Sequence, residues 1–96
     1  MDIEYHPLVR KDIAEILDWY DARSDSAGDR FFAEFEKTVE ELASGKKRGF
    51  RLDMNSRKIL FRRFPYSMSY EISETRLFIF VVKHQKRHPS LGMNRR

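Results

Sequence analysis

The sequence predicts a single α+β domain over residues 1–96, in which an antiparallel helical hairpin packs on a mainly antiparallel sheet. Two patterns indicate this class. Apolar residues in the first half recur at spacings of three and four, as on one face of a helix, whereas those in the second half alternate with polar residues, as in strands. Short polar breaks separate the runs, so we expect the element order β-α-α-β-β-β. Residues 89–96 follow the last pattern and are predicted to form a flexible tail.

The first elements are a short strand and a helix. Ile3 and Tyr5 alternate with acidic residues, which predicts a short first strand. Pro7 suits the first turn of a helix, because the N–H that proline lacks has no helical partner there. A stripe of apolar residues at helical spacing follows, formed by Val9, Ile13, Ile16, Leu17 and Tyr20. The stripe predicts an amphipathic helix over residues 8–22.

A second helix follows after a short polar break. Ser24 or Ser26 can cap its start, and Gly45 is a natural stop. The apolar stripe between them consists of Phe31, Phe35, Val39 and Leu42. Because the connection is short, the two helices should be antiparallel. Trp19 and Phe32 lie off the stripes, and we expect them to widen the packed seam rather than to serve as exposed anchors for a partner.

Three strands are predicted in the second half. Residues 59–61, Ile-Leu-Phe, form the first of them. Pro65 cannot donate to a strand ladder and therefore belongs at a strand start or an edge. Residues 66–72 alternate between apolar and polar, as in a half-buried strand, and residues 77–82 are apolar on both faces, as in a central strand.

The last two strands should form a hairpin around Glu74 and Thr75. The expected register pairs Ile72 with Leu77, Tyr70 with Ile79, Met68 with Val81 and Tyr66 with Lys83. This face should pack on the helices. The opposite, open face would then carry Ser67, Ser69, Glu71, Phe78, Phe80, Val82 and His84. A slip of one residue would exchange the two faces.

The composition narrows the class of protein. Hydrophobic residues make up 41% of the chain and cysteine is absent, which is typical of a globular domain without disulfides or a thiolate metal site. No apolar run reaches the roughly 20 residues of a membrane span. The N-terminus also lacks the apolar core of a secretory signal. We expect a cytoplasmic protein with no membrane partner and no cofactor. No metal is implied, because His6, His84 and His88 lack a matching carboxylate cluster.

Charge is distributed unevenly along the chain. Residues 1–44 carry twelve acidic and five basic side chains, residues 45–63 carry one acidic and eight basic, and residues 83–96 carry five basic and none acidic. A basic surface suits nucleic acid or an acidic protein partner, with ordinary solvated charge as the alternative. The candidate phosphate or partner contacts are Lys46, Lys47, Arg48, Arg51, Arg62, Arg63, Lys83 and Lys86.

Three short motifs carry a resemblance to a known family. They are Arg-Phe-Pro-Tyr at residues 63–66, Tyr70 within Ser-Tyr-Glu-Ile, and His-x-x-Arg-x-Pro at residues 84–89. In this order after a helical hairpin, they make residues 3–89 resemble the RelE/ParE superfamily of toxins from type II toxin–antitoxin systems. The resemblance implies a growth-arresting toxin that is neutralised by a cognate antitoxin. An acidic antitoxin segment would wrap the basic surface.

The family has two branches, and the sequence leaves the target open between them. RelE-like members cut mRNA on the ribosome, whereas ParE-like members inhibit DNA gyrase without known nuclease chemistry. Metal-independent RNA cleavage needs a proton acceptor, a proton donor and cations at the phosphate. The resemblance makes His84 the candidate acid or base, with His88 as a second proton carrier, and Arg87 the candidate phosphate-stabilising residue.

Two departures weaken the case for the nuclease branch, whereas the pair of His84 and Arg87 favours it, so the balance between the two targets stays nearly even. RelE-like nucleases have an arginine three residues before the strand tyrosine, and here that position is Ser67. They often use a tyrosine or histidine near the C-terminus, and here only His88 follows Arg87. The remaining alternative is a non-toxic module of the same fold that binds nucleic acid or protein.

Overall fold

The computed structural model describes residues 1–96 and confirms the α+β class. Its elements are β1 (Asp2–Tyr5), α1 (Val9–Asp21), α2 (Ala27–Ala43), β2 (Phe50–Arg51), β3 (Arg57–Leu60), β4 (Tyr66–Ile72), β5 (Arg76–His84) and a 3-10 turn (Met93–Arg95). The sheet has the strand order β1-β5-β4-β3-β2. β1 is parallel to β5, and all other neighbours are antiparallel.

The helical hairpin forms as the apolar stripes predict. Both stripes are turned to the sheet, and Phe31 and Leu42 are among the most buried side chains. Ser26 is the N-cap residue of α2, but the capping hydrogen bond comes from Ser24, whose Oγ accepts the backbone N–H of Ala27 at 3.2 Å. The helix ends before Gly45, which has a φ of 80° that favours glycine.

One strand more is present than the sequence indicated. Phe50 and Arg51 form the two-residue β2 and pair with β3, so the predicted set of four strands was wrong by one. The turn before β2 is anchored to the core, because the N–H of Gly49 donates to Oη of the buried Tyr70 at 2.7 Å. Arg57 Nη1 in turn donates to the Gly49 carbonyl at 2.7 Å. So short a strand carries too little alternation to be recognised in a sequence.

The register of the β4–β5 hairpin is partly as predicted. Ile72 pairs with Leu77 and Tyr70 with Ile79, but a bulge at Phe80 then shifts the register by one residue. Beyond the bulge, Met68 faces Val82 and Tyr66 faces His84. The predicted pairs of Met68 with Val81 and of Tyr66 with Lys83 are therefore wrong. In consequence Val82 and His84 turn toward the helices, and Val81 and Lys83 turn to the opposite face.

Residues 88–96, called here the C-terminal segment, cover that opposite face, although residues 89–96 were predicted to be a flexible tail. Gly92 lies against Val81, and Arg96 stacks its guanidinium over the Phe80 ring at 5.2 Å. Phe80 and Val81 are consequently 0% and 1% exposed. The apolar face of β5 favours this packing, because it would otherwise remain in contact with water.

The prediction that Trp19 and Phe32 widen the packed seam between the helices was wrong. Their exposed fractions are 50% and 38%. Trp19 is covered in part by the Arg23 guanidinium, which lies 4.0 Å from the ring centroid. Since each residue sits one position away from its helix stripe, neither can reach the sheet.

Candidate functional site

The predicted catalytic residues lie in one groove between α1 and the end of β5, called here the His84 groove. Its volume is about 410 Å³. It is lined by Leu8, Lys11, Asp12, Glu15, Ile16, Trp19, Tyr66, Val82, Lys83, His84, Arg87, Leu91 and Arg95. The structure thus brings His84 and Arg87 together. The His84 ring packs edge-on against Tyr66, with 5.2 Å between the ring centroids.

All three histidines make the same local hydrogen bond. The Nδ1 atoms of His6, His84 and His88 accept the backbone N–H of the residue two positions later, at 3.1, 3.0 and 3.1 Å respectively. His88 Nδ1 also lies 2.7 Å from the hydroxyl of Ser90. An Nδ1 that accepts a hydrogen bond leaves the imidazole proton on Nε2. The histidines therefore stabilise turns in the way that Asn and Asp side chains do.

Lys83, predicted to contact phosphate, has a structural role instead. Its Nζ donates to the backbone carbonyls of His88, Pro89 and Leu91 at 3.2, 2.8 and 2.9 Å. Burial, followed by the charges of Lys58, Arg87 and Arg95, lowers the pKa of the Lys83 ammonium below its ordinary value. All three ammonium hydrogens are used within the chain, so none remains for a phosphate.

Ser67 stands at the position where a RelE-like nuclease has arginine, and it is 1% exposed. Its Oγ lies 3.5 Å from the Lys83 carbonyl oxygen. A long cationic side chain at this position would have to displace packed neighbours. The candidate nuclease site therefore keeps Arg87, which is exposed, but has no cation at residue 67.

Arg62 and Arg63 line a second groove, called here the arginine groove, between α2 and the β3–β4 turn. Its volume is about 600 Å³. Its lining consists of Arg30, Ala33, Glu34, Lys37, Thr38, Glu41, Lys47, Leu60, Arg62, Arg63 and Phe64. Lys47, another predicted contact, joins it and pairs with Glu41 at 3.4 Å.

The other predicted contacts line neither groove. Lys46, Arg48, Arg51 and Lys86 are all exposed side chains of loops, of β2 or of the turn after β5. Conversely, the arginine groove contains two cations of α2, Arg30 and Lys37, that the sequence interpretation missed. Their separation of seven residues was the available signal, because it places both on one helix face.

Neither groove holds a group of three or more His, Asp or Glu side chains arranged to bind a metal ion. Neither α1 nor α2 is long and apolar enough to cross a membrane.

Comparisons with known proteins identify the class to which this fold belongs. The chain superposes on a protein of the chromosomal ParDE toxin–antitoxin system from P. aeruginosa with a TM-score of 0.73 and 15% sequence identity, over 88% of this chain and 95% of that one. This likeness shows that the two chains share one fold. The family model described as ParE toxin of the type II toxin–antitoxin system parDE matches residues 3–89.

The chain therefore belongs to the ParE toxin family, and it is the toxin component of a type II toxin–antitoxin module. Family membership implies a cognate antitoxin as its partner. The resemblance drawn from the three sequence motifs is confirmed. Among curated protein sequences, none gives a significant match.

Proposed function

We propose that this toxin arrests growth by inhibiting DNA gyrase, and that it does not cut mRNA on the ribosome. The ParE family match supports this branch. The single observation that carries the choice is the hydrogen bond from the Lys86 N–H to His84 Nδ1 at 3.0 Å.

This hydrogen bond works against proton transfer by His84. A general base at Nε2 needs a free lone pair there, but the neutral ring already carries its proton on Nε2. A general acid needs the doubly protonated ring, which has no lone pair at Nδ1 to accept the Lys86 N–H. The same argument applies to His88, whose Nδ1 accepts from Ser90.

Charge in the His84 groove supports the same conclusion. The wall formed by α1 brings the carboxylates of Asp12 and Glu15 into the groove. Asp12 is paired with Arg95 and Glu15 with Lys11, and the Lys83 ammonium donates to backbone carbonyls, so Arg87 is the one cation of the lining without such a partner. The cation that a nuclease would place at residue 67 is replaced by a buried serine. Phosphate stabilisation would rest on Arg87 alone, which is too little for the crowded transition state of RNA cleavage.

We also propose that the cognate antitoxin carries an acidic segment, and that this segment wraps the toxin in the cytoplasm. Exposed apolar side chains, among them Tyr5, Trp19 and Phe32, offer it hydrophobic contacts. The exposed cations of residues 46–51, most of which lie outside the arginine groove, offer it opposite charge. The antitoxin would cover both the apolar and the basic side chains in the toxin–antitoxin complex.

Expression of the toxin without its antitoxin tests the proposal, with His84 replaced in two ways. His84→Asn keeps an acceptor for the Lys86 N–H, and His84→Ala removes it. We expect His84→Asn to remain fully toxic, to induce the DNA-damage response and to leave ribosome-bound mRNA intact. Cleaved mRNA on ribosomes, together with loss of toxicity in a folded His84→Asn protein, would contradict the proposal.

A further inference from the structure

We propose that the arginine groove binds the phosphate backbone of duplex DNA directly, without reading its bases. Inhibition of gyrase requires no direct contact between toxin and DNA, so this inference goes beyond the proposed function.

The groove is built on a turn that the fold holds rigidly. Glu34 Oε2 accepts the backbone N–H of Arg62 at 2.6 Å and that of Arg63 at 3.4 Å. The next residue, Phe64, packs edge-on against Phe31 and Tyr20, with ring centroids 5.4 and 5.3 Å apart. With the backbone fixed from both sides, both arginine side chains project outward and are exposed. The turn therefore presents two cations from a backbone that is already ordered.

Four of the five cations that line the groove lack acidic partners. Glu34 is engaged by the turn backbone, and Glu41 is paired with Lys47. The structure contains five ion pairs, and none includes Lys37, Arg62 or Arg63. The fourth free cation is Arg30, whose Nη1 donates to the neutral Ser26 hydroxyl at 2.7 Å. Four positive charges without acidic partners around one groove favour a polyanion.

The rest of the lining favours a duplex over other polyanions. Single-stranded nucleic acid is usually bound by stacking its bases on aromatic side chains. The one aromatic residue of the groove is Phe64, and its half-buried ring is packed against the core. A protein partner would bury a central apolar patch. The groove offers only Ala33, Leu60 and Phe64 for that purpose, among eleven lining residues. Phosphate contacts remain as the favoured mode.

Salt dependence of binding by the purified toxin alone tests the inference. A labelled duplex of about 20 base pairs and arbitrary sequence would be titrated from about 50 to about 200 mM salt. With three or four phosphate contacts, the slope of log K against log salt should be about −3 to −4. We expect the magnitude of this slope to fall by about one in each of three variants, Arg62→Ala, Arg63→Ala and Lys37→Ala. Arg62→Lys keeps the charge and should preserve the slope.

Lys11→Ala is the matched control, because it removes one positive charge from an exposed site on α1, outside the arginine groove. It should leave the slope unchanged. An equal loss in this control would overturn the inference, as would no binding at about 50 mM salt. Tighter binding of single-stranded RNA, or displacement of the duplex by a polyglutamate peptide of equal charge at equal concentration, would also overturn it. Since gyrase is absent from the assay, the outcome is separate from that of the proposed function.

Discussion

Lys83 is the buried cation around which the C-terminal segment folds. Its ammonium donates to the carbonyls of His88, Pro89 and Leu91, so its removal should leave those three acceptors without a partner. We expect Lys83→Met, which retains the aliphatic bulk, to lower the free energy of unfolding by about 2 kcal/mol. Chemical denaturation of the purified proteins would measure it. Lys86→Met, on an exposed side chain, should change the free energy of unfolding by less than about 0.5 kcal/mol. Equal effects would contradict the role of Lys83.

The lowered pKa of Lys83 predicts a pH dependence of stability. The folded pKa lies below the unfolded value of 10.5, so between these two values the unfolded chain binds more protons. The stability of the wild type relative to Lys83→Met should therefore rise as pH increases through this window. Thermal unfolding of both proteins at several pH values would measure the difference. A difference that falls with pH would mean that the ammonium is stabilised in the folded state.

At the residue scale, the sequence predicted roles well where burial alone decides them. Tyr66 and Tyr70 were expected in the core and lie there. Lys83 and His84 were assigned to the wrong faces, because a single extra residue at Phe80 exchanges the faces of β5. A phenylalanine at position 80 does not indicate a bulge. The apolar pattern therefore could not predict the bulge or the hydrogen bonds of Lys83 and His84 that depend on it.

Among the elements, β5 depends on a side-chain pair at its open edge. β1 ends at Tyr5, so the second half of β5 has no neighbouring strand on that side. Asp12 Oδ2 accepts the Val82 N–H at 3.0 Å and pairs with Arg95 Nη1 at 2.6 Å. Arg95 Nη1 also donates to the Phe80 carbonyl at 3.1 Å. This pair satisfies the strand edge and prevents another chain from pairing with it.

Replacing Asp12 should therefore destabilise the fold. Asp12→Ala leaves the Arg95 guanidinium and the Val82 N–H unpaired, and we expect a loss of about 2 kcal/mol. Asp12→Asn keeps an acceptor for the N–H and should cost about half as much. Amide hydrogen exchange at Val82 should be slowest in the wild type, faster in Asp12→Asn and fastest in Asp12→Ala. Equal protection in both variants would show that water satisfies the edge as well as Asp12 does.

A pair of glycine substitutions tests the packing of the C-terminal segment on β5. Gly45 and Gly92 have φ values of 80° and 81°, so alanine is strained equally at both. A Cβ at Gly45 meets no atom within 4 Å, whereas one at Gly92 would press on the Val81 side chain. We expect Gly45→Ala to cost about 1 kcal/mol and Gly92→Ala about 2–3 kcal/mol. Equal costs in thermal unfolding would mean that the segment is not packed on the sheet.

At the element scale, long periodic runs were predictable and short or covering elements were not. Helices α1 and α2 fall within two residues of their predicted ends. The strand β2 and the C-terminal segment carry no periodic apolar pattern. They are placed by contacts with distant residues, such as Tyr70 with Gly49 and Asp12 with Arg95, which a local pattern cannot show.

For the whole molecule, the two grooves divide the predicted site. The motif residues His84 and Arg87 meet beside α1, whereas Arg62 and Arg63 meet α2 instead. The family and its fold were predictable from three motifs and their order. The division of the basic residues was not, since it depends on how the turn of residues 62–64 is held against α2. Gyrase inhibition is the function that this division and the histidine geometry favour.

The most direct test of the gyrase proposal is a supercoiling assay with purified gyrase and purified toxin, run beside an assay of mRNA on translating ribosomes. We expect the toxin and His84→Asn to inhibit supercoiling equally and to leave the mRNA intact. Uninhibited gyrase together with mRNA cut on the ribosome by the wild type, but not by His84→Asn, would contradict it.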